Sequence, residues 1–251
     1  MSMVGQHIVV TGGGSGVGAE TARVFANAGA SVTVLGRRIA QLEKLAKSIG
    51  GLPVSADVTD PAALKAALDT AREEFGPVAV AVANAGTAPS APFEKISAHD
   101  FNETLAVNLG GVFHLWQMTL PDMKANGWGR LIAIASTAGL KGYVYVSPYC
   151  AAKHGVVGLT RSLAQEIGTS GVTANAICPG FIETPLLEKS VEAIAAKTGM
   201  TAAETHKSLL SGNPQKRFVS TREVAQTALW LCSDAAASVN GHALALSGGE
   251  V

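Results

Sequence analysis

A tyrosine and a lysine four residues apart, Tyr149 and Lys153, form the part of this sequence best suited to proton transfer. The pair Ser147 and Pro148 just before them predicts a helix with Ser147 as N-cap and Pro148 as first residue. Residues four apart on a helix share one face. The unperturbed pKa of a phenol is about 10. Because a nearby ammonium favours the phenolate, we expect Lys153 to bring the pKa of Tyr149 towards neutrality.

Ser136 is a second group with suitable chemistry, at the end of the apolar run LIAIAS. That run predicts a buried strand, and a hydroxyl at its end can donate to an oxygen held between strand and helix. Each feature also has an ordinary explanation, because Tyr-x-x-x-Lys occurs by chance on surface helices and a serine after a strand is usually a turn residue. Their order and spacing indicate catalysis only in combination with the N-terminal segment.

Short apolar runs alternate with segments of helical period along the 251 residues, and this alternation predicts the fold. The runs of strand length start at His7, Ser31, Val78, Leu131, Thr173 and Ala243, with a weaker one at Leu52. The helical segments include Ala19–Ala28, Ile39–Ile49, Pro61–Phe75 and Pro148–Ile167. We therefore expect an α/β fold: a doubly wound parallel sheet with helices on both faces. The absence of a linker or repeat favours one domain over residues 1–251.

A glycine-rich turn, TGGGSGVG at 11–18, joins the first predicted strand to the first helix. Its glycines let the backbone turn sharply and approach a ligand without interference from a Cβ atom. The amides that open the next helix favour an anionic group. At the first βα turn of such a sheet, this pattern predicts a bound dinucleotide pyrophosphate. The residues expected to contact it are Gly12, Ser15, Gly16, Val17 and Gly18.

The end of the second predicted strand reads VLGRRIAQ and should meet the adenosine ribose. An acidic residue there would bind the ribose hydroxyls and repel a 2′-phosphate, but the chain has Arg37 and Arg38. Two guanidiniums favour a phosphorylated ribose, so we expect NADP(H) in preference to NAD(H). Ser15 in place of a basic residue within the glycine turn weakens this expectation. The alternative is that both arginines are solvated charges at a helix start.

Composition excludes several other classes of protein. Lys+Arg and Asp+Glu both number 19, and the absence of a basic patch argues against nucleic acid or an anionic membrane as partner. The 3 cysteines and the histidines lack metal-ligand spacing, so we expect no metal site and free thiols in a reducing cytosol. The N-terminus has no apolar signal region, and no apolar run is long enough for a bilayer. We expect a cytoplasmic protein.

Further motifs complete a pattern that resembles a known family. They are ADVTD with Asp57, NAG at 84–86, VNLGGVF with Asn108, and PGFIET at 179–184. Together with the glycine turn and the Ser-Tyr-Lys set, they make the chain resemble the short-chain dehydrogenase/reductase family over nearly its full length. The resemblance implies a single Rossmann-type domain with a seven-stranded parallel sheet, NAD or NADP as cofactor, and commonly a homotetramer.

The resemblance also implies a role for each matched residue. Tyr149 would be the general acid in reduction and the base in oxidation, while Lys153 would hold the nicotinamide ribose and lower the tyrosine pKa. Ser136 would polarise the substrate carbonyl, and Asn108 would steady a water behind Lys153. The alternatives are that Asn108 is a local kink or cap of a helix, and that Thr59 and Asp60, which follow Asp57, cap the next helix. The remaining implied cofactor contacts are Asp57, Val58, Asn84, Ala85, Gly86, Pro179, Gly180, Ile182 and Thr184.

Residues 184–213 lie where the family carries its substrate cover, and they predict a lid of two short helices. An aliphatic wall there would exclude water and favour a hydrophobic carbonyl or secondary alcohol. An ordinary helical pair packed on the domain is the alternative. Tyr143 and Tyr145 either line the substrate site or pack within their loop. The apolar lid residues are Leu186, Leu187, Val191, Ile194, Leu209 and Leu210.

The complete Asn-Ser-Tyr-Lys set predicts an NAD(P)-dependent oxidoreductase that interconverts a ketone and a secondary alcohol by hydride transfer. The C-terminal third resembles bacterial members that act on 3-oxoacyl or 3-hydroxyacyl substrates, with free acid, acyl-CoA and carrier-protein thioester all open. One alternative is an NAD-dependent D-3-hydroxybutyrate dehydrogenase or other secondary-alcohol dehydrogenase. The other is a non-catalytic dinucleotide-binding regulator on the same fold.

Overall fold

The computed structural model describes the backbone of residues 1–251 and every side chain except those at positions 185, 186, 189, 193, 196 and 197. The expected contribution of Leu186 to the lid wall therefore lies outside the described side chains.

Seven parallel strands in the described backbone form one sheet, in the order β3-β2-β1-β4-β5-β6-β7. Strand order reverses between β1 and β4, which opens a crevice at the carboxyl ends of these strands where a dinucleotide fits. The predicted fold class is confirmed. The strands are β1 (His7–Thr11), β2 (Ser31–Gly36), β3 (Leu52–Ser55), β4 (Val80–Ala83), β5 (Gly129–Ile134), β6 (Val172–Pro179) and β7 (Ala243–Leu246).

Helices cover both faces of this sheet. Two of them, α2 and α3, have the predicted bounds, and α3 begins where Asp60 accepts hydrogen bonds from the amides of Ala62 and Ala63. Helix α1 begins earlier than predicted, inside the glycine turn. The helices are α1 (Gly16–Asn27), α2 (Ile39–Ile49), α3 (Pro61–Phe75), α4 (Ala98–Leu105), α5 (Gly111–Asn126), α6 (Ser147–Glu166), α7 (Pro185–Thr198), α8 (Ala202–Leu209) and α9 (Thr221–Trp230).

The sheet separates two apolar cores. Phe25 and Leu42 lie fully buried in one core, between the sheet and helices α1, α2 and α9. Leu68, Leu115 and Trp116 lie in the other, beneath α3 and α5. Strands β1, β4, β5 and β6 are buried along their whole length because both faces are covered. The strand ends that carry the predicted site therefore rest on a closely packed support.

The prediction for the start of α6 is wrong by one residue. Ser147 belongs to the helix, and Val146 stands at the N-cap, where its carbonyl accepts from the amide of Cys150 at 2.9 Å. Pro148 then occupies the first turn, where its missing N–H has no intrahelical partner to lose. Tyr149 and Lys153 still lie one turn apart.

Residues 184–213 contain the two short helices expected of a lid, α7 and α8. Thr184 caps α7 by accepting from the amide of Leu187 at 3.3 Å. Leu187 and Val191 are buried, so this part of α7 packs on the protein. Across the described residues, the helices are too short or too polar to pass through a bilayer.

Candidate functional site

Ser136 and Tyr149 are brought together by the close packing of one turn on α6. Ser136 lies just after β5, and residues Thr137–Gly139 form a short turn behind it. A Cβ atom on Gly139 would lie 2.7 Å from the carbonyl oxygen of Lys153, so only glycine permits this approach of turn and helix. The Ser136 hydroxyl thereby lies near enough to the Tyr149 hydroxyl to favour its ionisation.

Lys153 is buried beneath this pair, with only 3% of its surface exposed. Its Nζ donates to the carbonyl oxygen of Ile134 at 2.8 Å and lies 5.6 Å from the centre of the Tyr149 ring. Burial lowers the pKa of Lys153 to about 8. The ammonium has two further N–H groups, which remain available to a ligand hydroxyl.

The pKa of Tyr149 moves in the direction opposite to the sequence expectation. Burial, which disfavours the phenolate, outweighs the hydrogen bond from Ser136 and raises the pKa of Tyr149 to about 12. The prediction that Lys153 lowers the pKa of Tyr149 is therefore wrong. At neutral pH Tyr149 is therefore a phenol, the form that gives up a proton in a reduction.

Asn108 lies on a turn of π-helix, residues Ala106–Gly110, between α4 and α5. Its Nδ2 donates to the carbonyls of Thr87 and Thr104, both at 2.9 Å, and its Oδ1 accepts from the amide of Thr87 at 3.2 Å. This turn interrupts the regular α-helical pattern between α4 and α5. The side chain holds the segment after β4 in place, and the water relay stays a prediction.

The glycine turn and the end of β4 are joined by Thr11, which the sequence analysis did not single out. Its Oγ1 accepts from the amides of Asn84 at 3.1 Å and Ala85 at 3.2 Å. The Asn84 Nδ2 donates back to the carbonyls of Thr11 and Gly12, at 3.0 and 3.2 Å. The first residue of the TGGGSGVG motif is the signal that could have identified Thr11.

The backbone of the glycine turn fits a dinucleotide pyrophosphate. Gly12 has φ +64°, and a Cβ there would lie 2.9 Å from the Cα of Ala85. A Cβ on Gly18 would press on the carbonyl of Gly12 and on Asn84 Nδ2. Ser15 stands at the N-cap of α1 without a side-chain cap bond, so the first amides of α1 are left for an anion. The Val17 side chain is buried, which leaves only its backbone to contact a ligand.

The two arginines after β2 lie beside Asp57 and the glycine turn. Arg37 is 74% exposed, with its Nη1 3.6 Å from Asp57 Oδ2. Arg38 Nη2 donates to Ser15 Oγ at 3.1 Å. The glycine turn lacks a basic residue of its own, but Arg38 supplies a positive charge from the neighbouring strand end.

Asp57 closes a turn by accepting from the amide and hydroxyl of Thr59, at 2.9 and 2.8 Å. Burial opposes its ionisation, but these hydrogen bonds and the charge of Arg37 prevail and lower the pKa of Asp57. The next residue, Val58, is buried, and its carbonyl pairs with His114 Nδ1 at 3.1 Å. Of the two residues expected as caps of the next helix, Thr59 and Asp60, it is Asp60 that caps α3.

The segment that should cover the nicotinamide end follows β6. Pro179 is the last residue of β6, and the Gly180 amide donates to the carbonyl of Leu246 at 3.0 Å. Ile182 pairs with Val219 in an isolated bridge. The Thr184 side chain is used as the cap of α7. The segment is thus tied to β7, to Val219 and to α7 rather than extended into solvent.

Tyr143 is half-buried and hydrogen-bonded beside Ser136, whereas Tyr145 is 61% exposed with φ +65°. The structure also places Thr137, Lys141 and Glu250 around Tyr143, and the sequence analysis missed all three. Glu250 gave no signal because its partners lie more than a hundred residues earlier in the chain.

Known proteins match this chain in sequence and in fold. The family model described as short chain dehydrogenase matches residues 6–195. D-beta-hydroxybutyrate dehydrogenase of Rhizobium meliloti (strain 1021) is 36% identical, over 96% of each chain. A 3-oxoacyl-(acyl-carrier-protein) reductase of Thermotoga maritima is 34% identical over the full length of both. A crystal structure of an actinorhodin polyketide ketoreductase variant with NADPH has a TM-score of 0.94 at 32% identity, covering 98% of this chain and 97% of that one.

Proposed function

Because the chain belongs to the short chain dehydrogenase family and is an oxidoreductase of CH–OH groups, we propose that it reduces the 3-keto group of a 3-oxoacyl-type substrate with NADPH. The observation that carries this proposal is the arrangement of half-buried Ser136 and Tyr149 beside buried Lys153, at the carboxyl end of β5. It provides two hydroxyls for one substrate oxygen, together with a cation behind them.

The two hydroxyls meet the charge that develops on the substrate oxygen. A nicotinamide cofactor, when bound, would supply the hydride to the carbonyl carbon. Ser136 and Tyr149 donate hydrogen bonds to the carbonyl oxygen, and Tyr149 passes its proton to that oxygen as the alcohol forms. Donors fixed before the reaction stabilise the new charge without reorganisation. The raised pKa of Tyr149 keeps the proton in place until the charge appears.

Lys153 is a positioning group as well as a binding group in this proposal. The carbonyl of Ile134 anchors the ammonium, so its remaining N–H groups point to a fixed place near Tyr149. There they would hold the hydroxyls of the nicotinamide ribose. Asn108 would act indirectly, by fixing the 84–87 segment along the cofactor floor.

The preference for NADPH is supported by Arg37 and Arg38 at the ribose end. A 2′-phosphate between them would be met by guanidinium groups, which bind phosphate oxygens well. NAD is the alternative, because Asp57 already pairs with Arg37. Fluorescence titration with NADPH and separately with NADH tests this part: a lower Kd for NADPH supports it, and a lower Kd for NADH contradicts it.

The second candidate is an NAD-dependent D-3-hydroxybutyrate dehydrogenase, favoured by the 36% identical relative of that name. Two assays separate the candidates. Reduction of acetoacetyl-CoA by NADPH supports the first. Oxidation of D-3-hydroxybutyrate by NAD, with no reduction of the thioester, supports the second. A protein that binds the dinucleotides but catalyses neither reaction would favour the non-catalytic regulator.

We also propose that the chain forms a homotetramer. An apolar groove of roughly 600 Å³ runs between α4, α5 and α6, and it is lined by Leu105, Leu109, Phe113 and Leu159. Phe113 is 45% exposed there, and a second copy of the chain would cover it. Analytical ultracentrifugation tests this: a four-chain mass supports the proposal, and a monomer contradicts it.

A further inference from the structure

Four polar side chains that the mechanism does not use form a closed group beside Ser136. Its members, the Glu250 cluster, are Thr137, Lys141, Tyr143 and Glu250. Thr137 follows Ser136 directly, and Lys141 and Tyr143 lie on the loop that leads to Tyr149. Glu250 is the residue before the last. The cluster therefore lies next to the reacting groups.

All hydroxyl protons of the cluster are used within it. Tyr143 Oη donates to Glu250 Oε1 at 2.7 Å, because a carboxylate can only accept. The Tyr143 hydroxyl has one proton, so in the 2.7 Å contact with Thr137 Oγ1 the threonine is the donor. Burial raises the pKa of Tyr143, which therefore keeps this proton.

The positive charge of the cluster is neutralised as well. Lys141 Nζ lies 2.8 Å from Glu250 Oε1, and the side chains are 37% and 6% exposed respectively. The same Nζ lies 5.0 Å from the centre of the Tyr143 ring. The ammonium is thus held over the ring by a carboxylate that is almost fully shielded from water.

The backbone brings Glu250 to this position. Gly248 and Gly249 have φ of +62° and +92°, which turns the chain end back towards β6. A Cβ on Gly180 would lie 3.3 Å from Glu250 Oε2, and one on Gly212 would lie 3.4 Å from Oε1. The carboxylate therefore sits where the segment after β6, the end of the lid and the Ser136 loop meet.

We propose that Glu250 is a specificity-determining residue that directs the enzyme to substrates with an uncharged group beside the ketone, and against free 3-oxo acids. With the charge of Lys141 paired to Glu250 and both hydroxyl protons used, the Glu250 cluster offers a substrate carboxylate no unpaired cation and no hydroxyl donor. A buried carboxylate also repels a second one. An ester or thioester needs no such partner. This inference rests on the proposed ketone reduction.

Methyl acetoacetate and acetoacetate are the matched probes, because they share the ketone and differ in the charge next to it. The wild-type protein should reduce the ester with the higher kcat/KM. In Glu250→Gln the ammonium of Lys141 loses its anion and becomes free to pair with acetoacetate. The kcat/KM for acetoacetate should rise about tenfold, as expected for one new charge-assisted hydrogen bond, while that for the ester changes little.

Two variants serve as controls. In the double variant Glu250→Gln with Lys141→Met the gain for acetoacetate should vanish, since the freed cation is absent. Glu166→Gln removes an exposed carboxylate at the far end of α6 and should leave the ratio of the two kcat/KM values unchanged. A wild-type preference for acetoacetate, or an equal change for both substrates in Glu250→Gln, would overturn the proposal.

If the proposed ketone reduction is itself wrong, these assays give a different result. If no variant reduces either ketone, that function is wrong for these substrates, and calorimetric titration with acetoacetate then tests the cluster directly. Tighter binding to Glu250→Gln than to wild type, lost again in the double variant, supports the role of Glu250. Equal binding to all three proteins contradicts it.

Discussion

The two ends of the crevice are built in different ways. The nucleotide end is mainly backbone: the glycine turn, the first amides of α1 and the segment after β4, joined by Thr11 and Asn84. The substrate end is made of side chains from separate parts of the chain, among them Tyr149, Lys153 and Glu250. Nucleotide binding should therefore be weakened by substitutions that add atoms to the backbone cradle. Catalysis should be weakened by substitutions that remove a functional group from the substrate end.

The largest effect is expected at the substrate end from Tyr149→Phe. Loss of the only proton donated in the reaction should lower kcat by about a thousandfold, a typical value for a lost acid–base group. Because the phenol ring stays, the Kd for NADPH should change little. Steady-state NADPH oxidation and fluorescence titration measure the two quantities. Turnover within a few fold of wild type would remove Tyr149 from the mechanism.

At the nucleotide end, Gly18→Ala should raise the Kd for NADPH by at least about tenfold. The added methyl group presses on the carbonyl of Gly12 and on Asn84 Nδ2, both part of the cradle. At saturating NADPH kcat should be largely retained. The matched control is Gly14→Ala in the same turn, where the nearest atom is Gln41 Cβ at 3.4 Å, an ordinary contact. Equal losses in both variants would show that the backbone approach is not the cause.

Substitutions of the two arginines after β2 should have a smaller effect, confined to the binding of NADPH. Arg37→Asp and Arg38→Asp each replace a guanidinium with a group that repels a 2′-phosphate, so the Kd for NADPH should rise about tenfold while that for NADH does not. Arg23→Asp, on the exposed face of α1, controls for the change in overall charge. An unchanged NADPH to NADH ratio in both ribose-end variants would mean that the 2′-phosphate is not bound there.

The smallest predicted effect is on the pH dependence of NADPH binding. It depends on Lys153, which lies at the substrate end and would hold the nicotinamide ribose. Its pKa is lowered by burial to about 8, so the ammonium is lost as the pH rises through that value. The Kd for NADPH should then increase severalfold between about pH 7 and about pH 9. Lys153→Arg keeps its charge over this range and should bind with a flatter pH profile, whatever its absolute affinity. A flat profile in the wild-type protein would contradict the ribose role of Lys153.

The nucleotide end could be predicted from sequence because its signals are local. The glycine turn, the NAG motif and the strand runs each lie within a few residues, and the alternation of strands and helices predicts a parallel sheet. Ser136, Tyr149 and Lys153 were also found, since the spacing on α6 fixes two of them. Thr11 was missed although it begins the TGGGSGVG motif, because its bonds to the amides of Asn84 and Ala85 join segments more than 70 residues apart.

What the sequence could not give depends on burial and on distant contacts. The direction of the Tyr149 pKa follows from how deeply the phenol is enclosed, which spacing on a helix does not reveal. The contacts of Glu250 with Lys141 and Tyr143 span more than a hundred residues. The one-residue error at Ser147 arose because Val146 provides the first helical carbonyl without any side-chain cap.

The most direct test of the account follows a label through the reaction. NADPH carrying deuterium at C4 of the nicotinamide is mixed with acetoacetyl-CoA and the wild-type protein, and the product is analysed by mass spectrometry and NMR. The account predicts one deuterium on carbon 3 of 3-hydroxybutyryl-CoA, and no such product with Tyr149→Phe on the same time scale. Binding of the labelled cofactor with recovery of unreduced ketone would contradict it.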